Sequence, residues 1–149
     1  MTEPGDPPAG RVRPDRGVLD TNTVILLSRP IDAAYLPREP LITAITLAEL
    51  SVGPLVATDP AERAARQAHL QQAEADFDPI PFDAAAARAF GRVAASLRRS
   101  GRKPGARSYD ALIAATALSR KLPVYTANAE DYRGIEGLVV LAVPHPAPD

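Results

Sequence analysis

Short runs of β-forming residues, each leading straight into a helical pattern, constrain the fold of this chain more than any other feature. Gly17 to Thr21 (GVLDT) and Leu41 to Ala44 (LITA) read as strands, and helical patterns follow at once in Thr23 to Ser28 and Leu47 to Val52. Glu62 to Asp76 predicts a long, polar, alanine-rich helix, and Pro79 to Phe82 a weak strand or a turn. Asp83 then caps a helix whose Ala86, Phe90, Val93, Ala94 and Leu97 share one face, and Gly101 stops it. Ser108 is placed as the N-cap of a helix over Tyr109 to Arg120, with Pro123 just beyond its end. Pro123 to Ala127 and Leu138 to Val143 supply the last strands. Alternation of this kind lays strands parallel and covers the sheet with helices, an α/β layered domain.

At 149 residues the chain has the length of one domain, expected over residues 16–143 between proline-rich tails at 1–15 and 144–149. The first tail carries Pro4, Pro7, Pro8 and Pro14 and no apolar stretch of the kind a signal peptide needs. The longest apolar runs, such as Ala111 to Leu118, fall well short of a membrane span. The expectation is a cytoplasmic protein with no membrane partner. There is no cysteine, which removes disulfides, cysteine-based zinc sites and thiol nucleophiles together. Of the two histidines, His69 stands in a helical stretch and His145 in the second tail, so a Ser-His-Asp triad or a histidine-rich metal site has almost nothing to be built from. What remains is carboxylate chemistry. Seventeen Lys+Arg against eighteen Asp+Glu leave a net charge of −1, so any attraction for a polyanion must be local.

Ligands of an open parallel sheet bind beyond the carboxyl ends of its strands. Asp20 ends the first predicted strand, Glu49 lies in the first turn after the second, Asp110 lies in the first turn of the Ser108 helix, and Asp131 follows the strand ending near Ala127, with Asn128 between. Each has a purely structural explanation. Thr46 to Glu49 fits a capping box worth about 1 kcal/mol. Asp110 gains about 0.3–1 kcal/mol from the helix dipole. Asp20 suits a turn, Asp131 a solvated loop, and Asn128 a left-handed turn. These explanations are weakest for Asp20, set between Val18-Leu19 and Val24-Ile25-Leu26-Leu27, and for Asp110, which leads into Ala111-Leu112-Ile113-Ala114-Ala115. A charge set against a core needs a partner. Two carboxylates about 4 Å apart repel by about 4 kcal/mol at an effective dielectric of 20, so convergence requires a cation or a raised pKa. Mg²⁺ or Mn²⁺ fits best, because both take oxygen ligands and Mg²⁺ keeps waters beside a few carboxylates, leaving room for a phosphate.

With these residues in view, the chain resembles the PIN-domain ribonucleases, and specifically the VapC-type toxins of toxin–antitoxin modules. The resemblance runs from about Val18 to Val143 and is carried by Val18-Leu19-Asp20-Thr21-Asn22, by Ile42 to Leu50 (ITAITLAEL), by Asp110 to Ala117 (DALIAATA) and by Thr126 to Tyr132 (TANAEDY). It implies a PIN-like three-layer fold, a parallel central sheet flanked by helices. It also implies that Asp20, Glu49 and Asp110 form an acidic metal-binding set, that Asn128 and Asp131 occupy the region of its remaining member, and that Thr21, Asn22 and Thr126 are polar support. The family often has aspartate where Asn128 stands. Asn128 keeps a carbonyl oxygen and loses a charge, and in a helical turn Asp131 would lie on its side and replace that charge directly or through water. The implied activity is endoribonuclease cleavage of structured RNA, a transfer or ribosomal RNA, which stops translation until a cognate VapB-type antitoxin covers the site; a homodimer is implied too.

The mechanism expected is hydrolysis with Mg²⁺ or Mn²⁺ held chiefly by Asp20 and Asp110, with Glu49 orienting the attacking water or holding the ion. Between Ala84 and Asp110 stand Arg88, Arg92, Arg98, Arg99, Arg102, Lys103 and Arg107, the local basic face. Arg99, Arg102, Lys103 and Arg107 are expected to guide RNA phosphates to the metal, while Arg88 and Arg92 have an equal claim to being ordinary solvated helix charges. Tyr35, Tyr109, Tyr125 and Tyr132 offer little aromatic surface for stacking bases. Two other functions compete. One is a catalytically weak or inactive PIN-like module that binds RNA or protein. The other reads Asp20-Thr21-Asn22-Thr23-Val24 as a phosphoaspartate motif, as in haloacid-dehalogenase-like phosphatases, but Asn22 stands where the second acid is expected and Lys103 and Lys121 are poorly placed.

Overall fold

The structure is a computed structural model in which residues 15–102 and 108–146 are described. Residues 1–14, 103–107 and 147–149 lie outside the described residues, and with them Lys103, Arg107, nearly all of the first expected tail and half of the second. The elements run β1 (Arg16–Leu19), α1 (Thr21–Leu26), a 3₁₀ turn (Ala33–Tyr35), β2 (Glu39–Leu41), α2 (Ala44–Val56), α3 (Pro60–Asp76), α4 (Ala84–Arg99), α5 (Ser108–Ser119), β3 (Val124–Thr126), a second 3₁₀ turn (Ala129–Tyr132) and β4 (Val140–Ala142). All strand pairs are parallel, in the order β2-β1-β3-β4. Pro40 sits in β2, an edge strand, where a missing N–H is tolerated.

The register pairs Val18 with Val124 and Leu19 with Tyr125, and the period of two sends these pairs to opposite faces. Val18 and Val124 join Ala89, Val93 and Leu97 of α4 and the apolar residues of α5. Leu19 and Tyr125 pack with Val143 under Val24, Ile31 and Leu36. Helices on one side and α1 with the 31–36 segment on the other make the expected three layers. A third cluster of Ile42, Leu50 and Ala73 joins α2 to α3. Gly17 is the residue that lets the Tyr125 ring lie across β1: a Cβ there would overlap the ring.

The expected elements are all present, with shifted boundaries. The first strand stops at Leu19, because Asp20 already caps α1 by accepting the Thr23 N–H. The second stops at Leu41; Thr43 forms an isolated bridge to Ile80, which is what the Pro79 to Phe82 segment becomes. Thr43 caps α2 through the Thr46 N–H, so Thr46 is inside the helix and the capping box of Thr46 with Glu49 does not form. Asp83 caps α4 as expected. Gly101 ends it at φ +80, with the Arg102 N–H on the Leu97 carbonyl and the Gly101 N–H on that of Arg98, a Schellman pair. Among the described residues no helix is long and apolar enough to cross a membrane.

Candidate active site

From the centre of the sheet β1 is followed by β2 on one side and β3 by β4 on the other, so the strand order reverses between β1 and β3. Crevices at such reversals are where parallel sheets bind ligands. Asp20 and Thr126 stand at this point, and the Thr126 hydroxyl donates to Asp20 Oδ2 at 2.7 Å. Asp20 is only 4% exposed. Its Oδ1 accepts from the Thr23 N–H at 3.2 Å and the Thr23 hydroxyl at 2.5 Å, and its Oδ2 also accepts from the Tyr132 hydroxyl at 3.1 Å. These donors are neutral, and the ion pairs among the described residues all lie elsewhere than Asp20 and Glu49.

Because α2 begins at Ala44, Glu49 lies a full turn inside the helix, half-buried beside α1. Thr21, the first residue of α1, donates to Glu49 Oε1 at 2.6 Å and lies 3.0 Å from the Thr46 hydroxyl. Burial lifts the Glu49 carboxyl above its ordinary range; the Thr21 bond offsets part of this, and the charges of Asp110 and then Asp20 add to it. Asp110 is in the first turn of α5, half-buried, with its Oδ1 3.4 Å from the Tyr132 hydroxyl. The three acids predicted to converge therefore share one field. No three His, Cys, Asp or Glu among the described residues are gathered tightly enough to enclose an ion as they stand. The donor set nonetheless suits a hard divalent cation: oxygen ligands alone, a Glu49 whose ionisation the charges of Asp110 and Asp20 make costlier, and no basic side chain on Asp20 or Glu49 among the described residues.

Asn128 and Asp131 do form one turn, with the Asp131 N–H donating to the Asn128 carbonyl at 3.1 Å. Asn128 is exposed and its N–H is held by the Thr126 hydroxyl at 3.0 Å; Asp131 is half-buried. The charges of Asp20 and Asp110 are felt by both Glu49 and Tyr132. Asn22 is exposed on α1. On the basic face, Arg88, Arg92 and Arg99 are exposed along α4. Arg99 pairs with Glu136 at 3.1 Å, and Arg102 donates from one guanidinium nitrogen to the carbonyls of Glu130 and Arg133, 2.8 Å each.

Sequence reasoning missed Tyr132 and Thr23. Tyr132, counted above with the aromatic surface, is 2% exposed, and its phenol is pushed well above the ordinary value by burial first, then by the charges of Asp20 and Asp110 and its hydrogen bonds to both. It stays a donor. The available signal was a tyrosine hydroxyl at the end of a turn leaving the strand beside Asp20; for Thr23 it was the Asp-x-x-Thr spacing of a helix cap.

A sequence model of the PIN domain matches residues 17–136. Ribonuclease VapC5 of Mycobacterium tuberculosis (strain ATCC 25618 / H37Rv) is 41% identical over 126 residues, spanning 83% of this chain and 90% of its own. The tRNA(fMet)-specific endonuclease VapC of Shigella flexneri is 33% identical over 127 residues, 81% of this chain and 92% of its own. Among solved structures, a chain of VapBC-5 from Mycobacterium tuberculosis, a member of the VapBC family of toxin–antitoxin systems, superposes with a TM-score of 0.76 at 39% identity, covering 87% of this chain and 100% of that one.

Proposed function

The chain belongs to the PIN-domain family, among the VapC ribonucleases of toxin–antitoxin modules, and from that premise we propose that it is an Mg²⁺- or Mn²⁺-dependent endoribonuclease that cuts structured RNA and stops translation. The observation that carries this reading is Asp20, buried at the strand reversal and sharing one field with Glu49 and Asp110. Asp20 and Asp110 would hold the ion, joined by the Asn128 carbonyl oxygen and by Asp131 directly or through water. When bound, a divalent ion lowers the pKa of a water and offsets charge growing on the phosphate oxygens, so hydrolysis leaves a 5′-phosphate and a 3′-hydroxyl. Glu49, which accepts from Thr21, would orient that water. Thr126, which donates to Asp20, would fix its rotamer, and Asn22, exposed on α1, would add polar support.

Arg99, Lys103 and Arg107 are the proposed guides for RNA phosphates; Arg102 shares that role with its hold on the 129–132 turn. A tRNA or a ribosomal RNA loop is the substrate class, in keeping with the tRNA(fMet)-specific relative. The partner is a VapB-type antitoxin, supported by the VapBC neighbour. Its docking face is the apolar stripe of α2, where Val52, Leu55 and Val56 are 45%, 83% and 60% exposed. A cytoplasmic homodimer completes the reading. The test is cleavage of total tRNA by the purified chain with Mg²⁺ or Mn²⁺: ends bearing 5′-phosphate, abolished by EDTA and by Asp110→Asn, are expected. A 2′,3′-cyclic phosphate, or cleavage undiminished in EDTA, would refute it.

A further inference from the structure

Asp20 has every lone-pair direction of its carboxylate occupied. A carboxylate offers about four such positions, and Asp20 accepts from the Thr23 N–H, the Thr23 hydroxyl, the Thr126 hydroxyl and the Tyr132 hydroxyl. A cation therefore reaches Asp20 only by displacing a donor. Three of the four are tied into the scaffold. The Thr23 N–H belongs to the capped first turn of α1. The Thr23 hydroxyl also accepts from the Ala127 N–H at 3.1 Å, and the Thr126 hydroxyl from the Asn128 N–H at 3.0 Å, so each links Asp20 to the chain after β3.

The Tyr132 hydroxyl differs. Its second neighbour is not a donor but another carboxylate oxygen, Asp110 Oδ1 at 3.4 Å, and a phenol carries a single proton. It stands between two acids and satisfies one at a time, where a cation shared by Asp20 and Asp110 would serve both. We propose that the Tyr132 hydroxyl is an occluding donor: it holds Asp20 Oδ2 and separates it from Asp110 in the metal-free protein, and it leaves Asp20 when a divalent cation takes that place. This rests on the reading of the acids as a metal site. Tyr132 is thus a positioning residue, acting on the reaction through Asp20 and Asp110. The turn that carries it is held from outside by the two Arg102 hydrogen bonds to Glu130 and Arg133, which confines the exchange to the hydroxyl.

Tyr132→Phe keeps the ring and removes the hydroxyl. Calorimetric titration with Mn²⁺ is expected to give about ten-fold tighter binding than wild type, because one charge-assisted hydrogen bond no longer has to be displaced, while the variant melts at a lower temperature in EDTA. A tyrosine that only braces the scaffold would lower the melting temperature and leave Mn²⁺ affinity unchanged or weaker, and that result overturns the proposal while leaving the metal site standing. Wild type that binds no Mn²⁺ overturns the metal site, and the proposal with it. In the wild-type protein the Tyr132 Cζ resonance is expected to move on adding Mg²⁺; a resonance that stays fixed while Mg²⁺ binds overturns the occlusion as well.

Discussion

Replacing Thr126 with valine isolates the electrostatic design of the site, because the side chain keeps its shape and loses only the hydroxyl. Thr126 is fully buried, donates to Asp20 Oδ2 at 2.7 Å and accepts from the Asn128 N–H at 3.0 Å. A hydrogen bond to a charged group contributes about 1.5–3 kcal/mol and one to a neutral amide about 0.5–1.5 kcal/mol, so Thr126→Val should cost about 2–4 kcal/mol in the metal-free protein. For a domain of this size that is a fall in melting temperature of roughly 4–16 °C. Urea unfolding followed by circular dichroism in EDTA measures it, with Thr126→Ser as the control that keeps the hydroxyl and loses a buried methyl, about 1 kcal/mol. In an Asp20→Asn background the valine should cost less, because the acceptor no longer carries charge. A Thr126→Val protein within about 0.5 kcal/mol of wild type, or a serine variant as damaged as the valine one, would show that the Asp20 bond is not what Thr126 contributes.

Further outcomes follow from the same geometry. The Glu49 carboxyl is raised above its unfolded value, so its favourable contribution is complete below the ordinary carboxylate range and is lost as pH rises through the raised value. Glu49→Gln, which can still accept from Thr21, should therefore be more stable than wild type at neutral pH in EDTA, with the gain shrinking toward pH 4, and should lose RNA cleavage; a gain independent of pH would contradict the charge origin. Leu55→Asp places a charge in the most exposed part of the α2 stripe and should weaken antitoxin capture at least ten-fold in a pull-down with the cognate antitoxin while leaving RNA cleavage intact. Unaltered capture would move the docking face elsewhere.

How far the site could be read in advance depended on how local each signal was. Asp20 was legible because a carboxylate at the end of a buried strand is conspicuous, and the topology then places it at the reversal beside Thr126. Glu49 was legible as a candidate, but its capping role was not what the fold uses: Thr43, one turn earlier, takes the cap and leaves Glu49 to Thr21. Tyr132 was hidden because its partners lie 112 and 22 residues away, and nothing near it in sequence says that its hydroxyl faces two acids. The structural part of Arg102 was hidden beside its expected role as a phosphate guide, because a guanidinium suits phosphates and carbonyls alike. Only the fold shows two carbonyls within its reach. β1 and β2 end earlier than expected for one reason: Asp20 and Thr43 both spend extended backbone on capping a helix.

The proposed activity depends on Asp20, Glu49 and Asp110 acting together on RNA. Sequencing the 5′-monophosphate ends that arise when wild type or Asp20→Asn is induced in cells tests this most directly. A small set of new ends in structured RNA, present with wild type and absent with Asp20→Asn, is the predicted result. The same ends appearing with both proteins, or none with wild type, would contradict it.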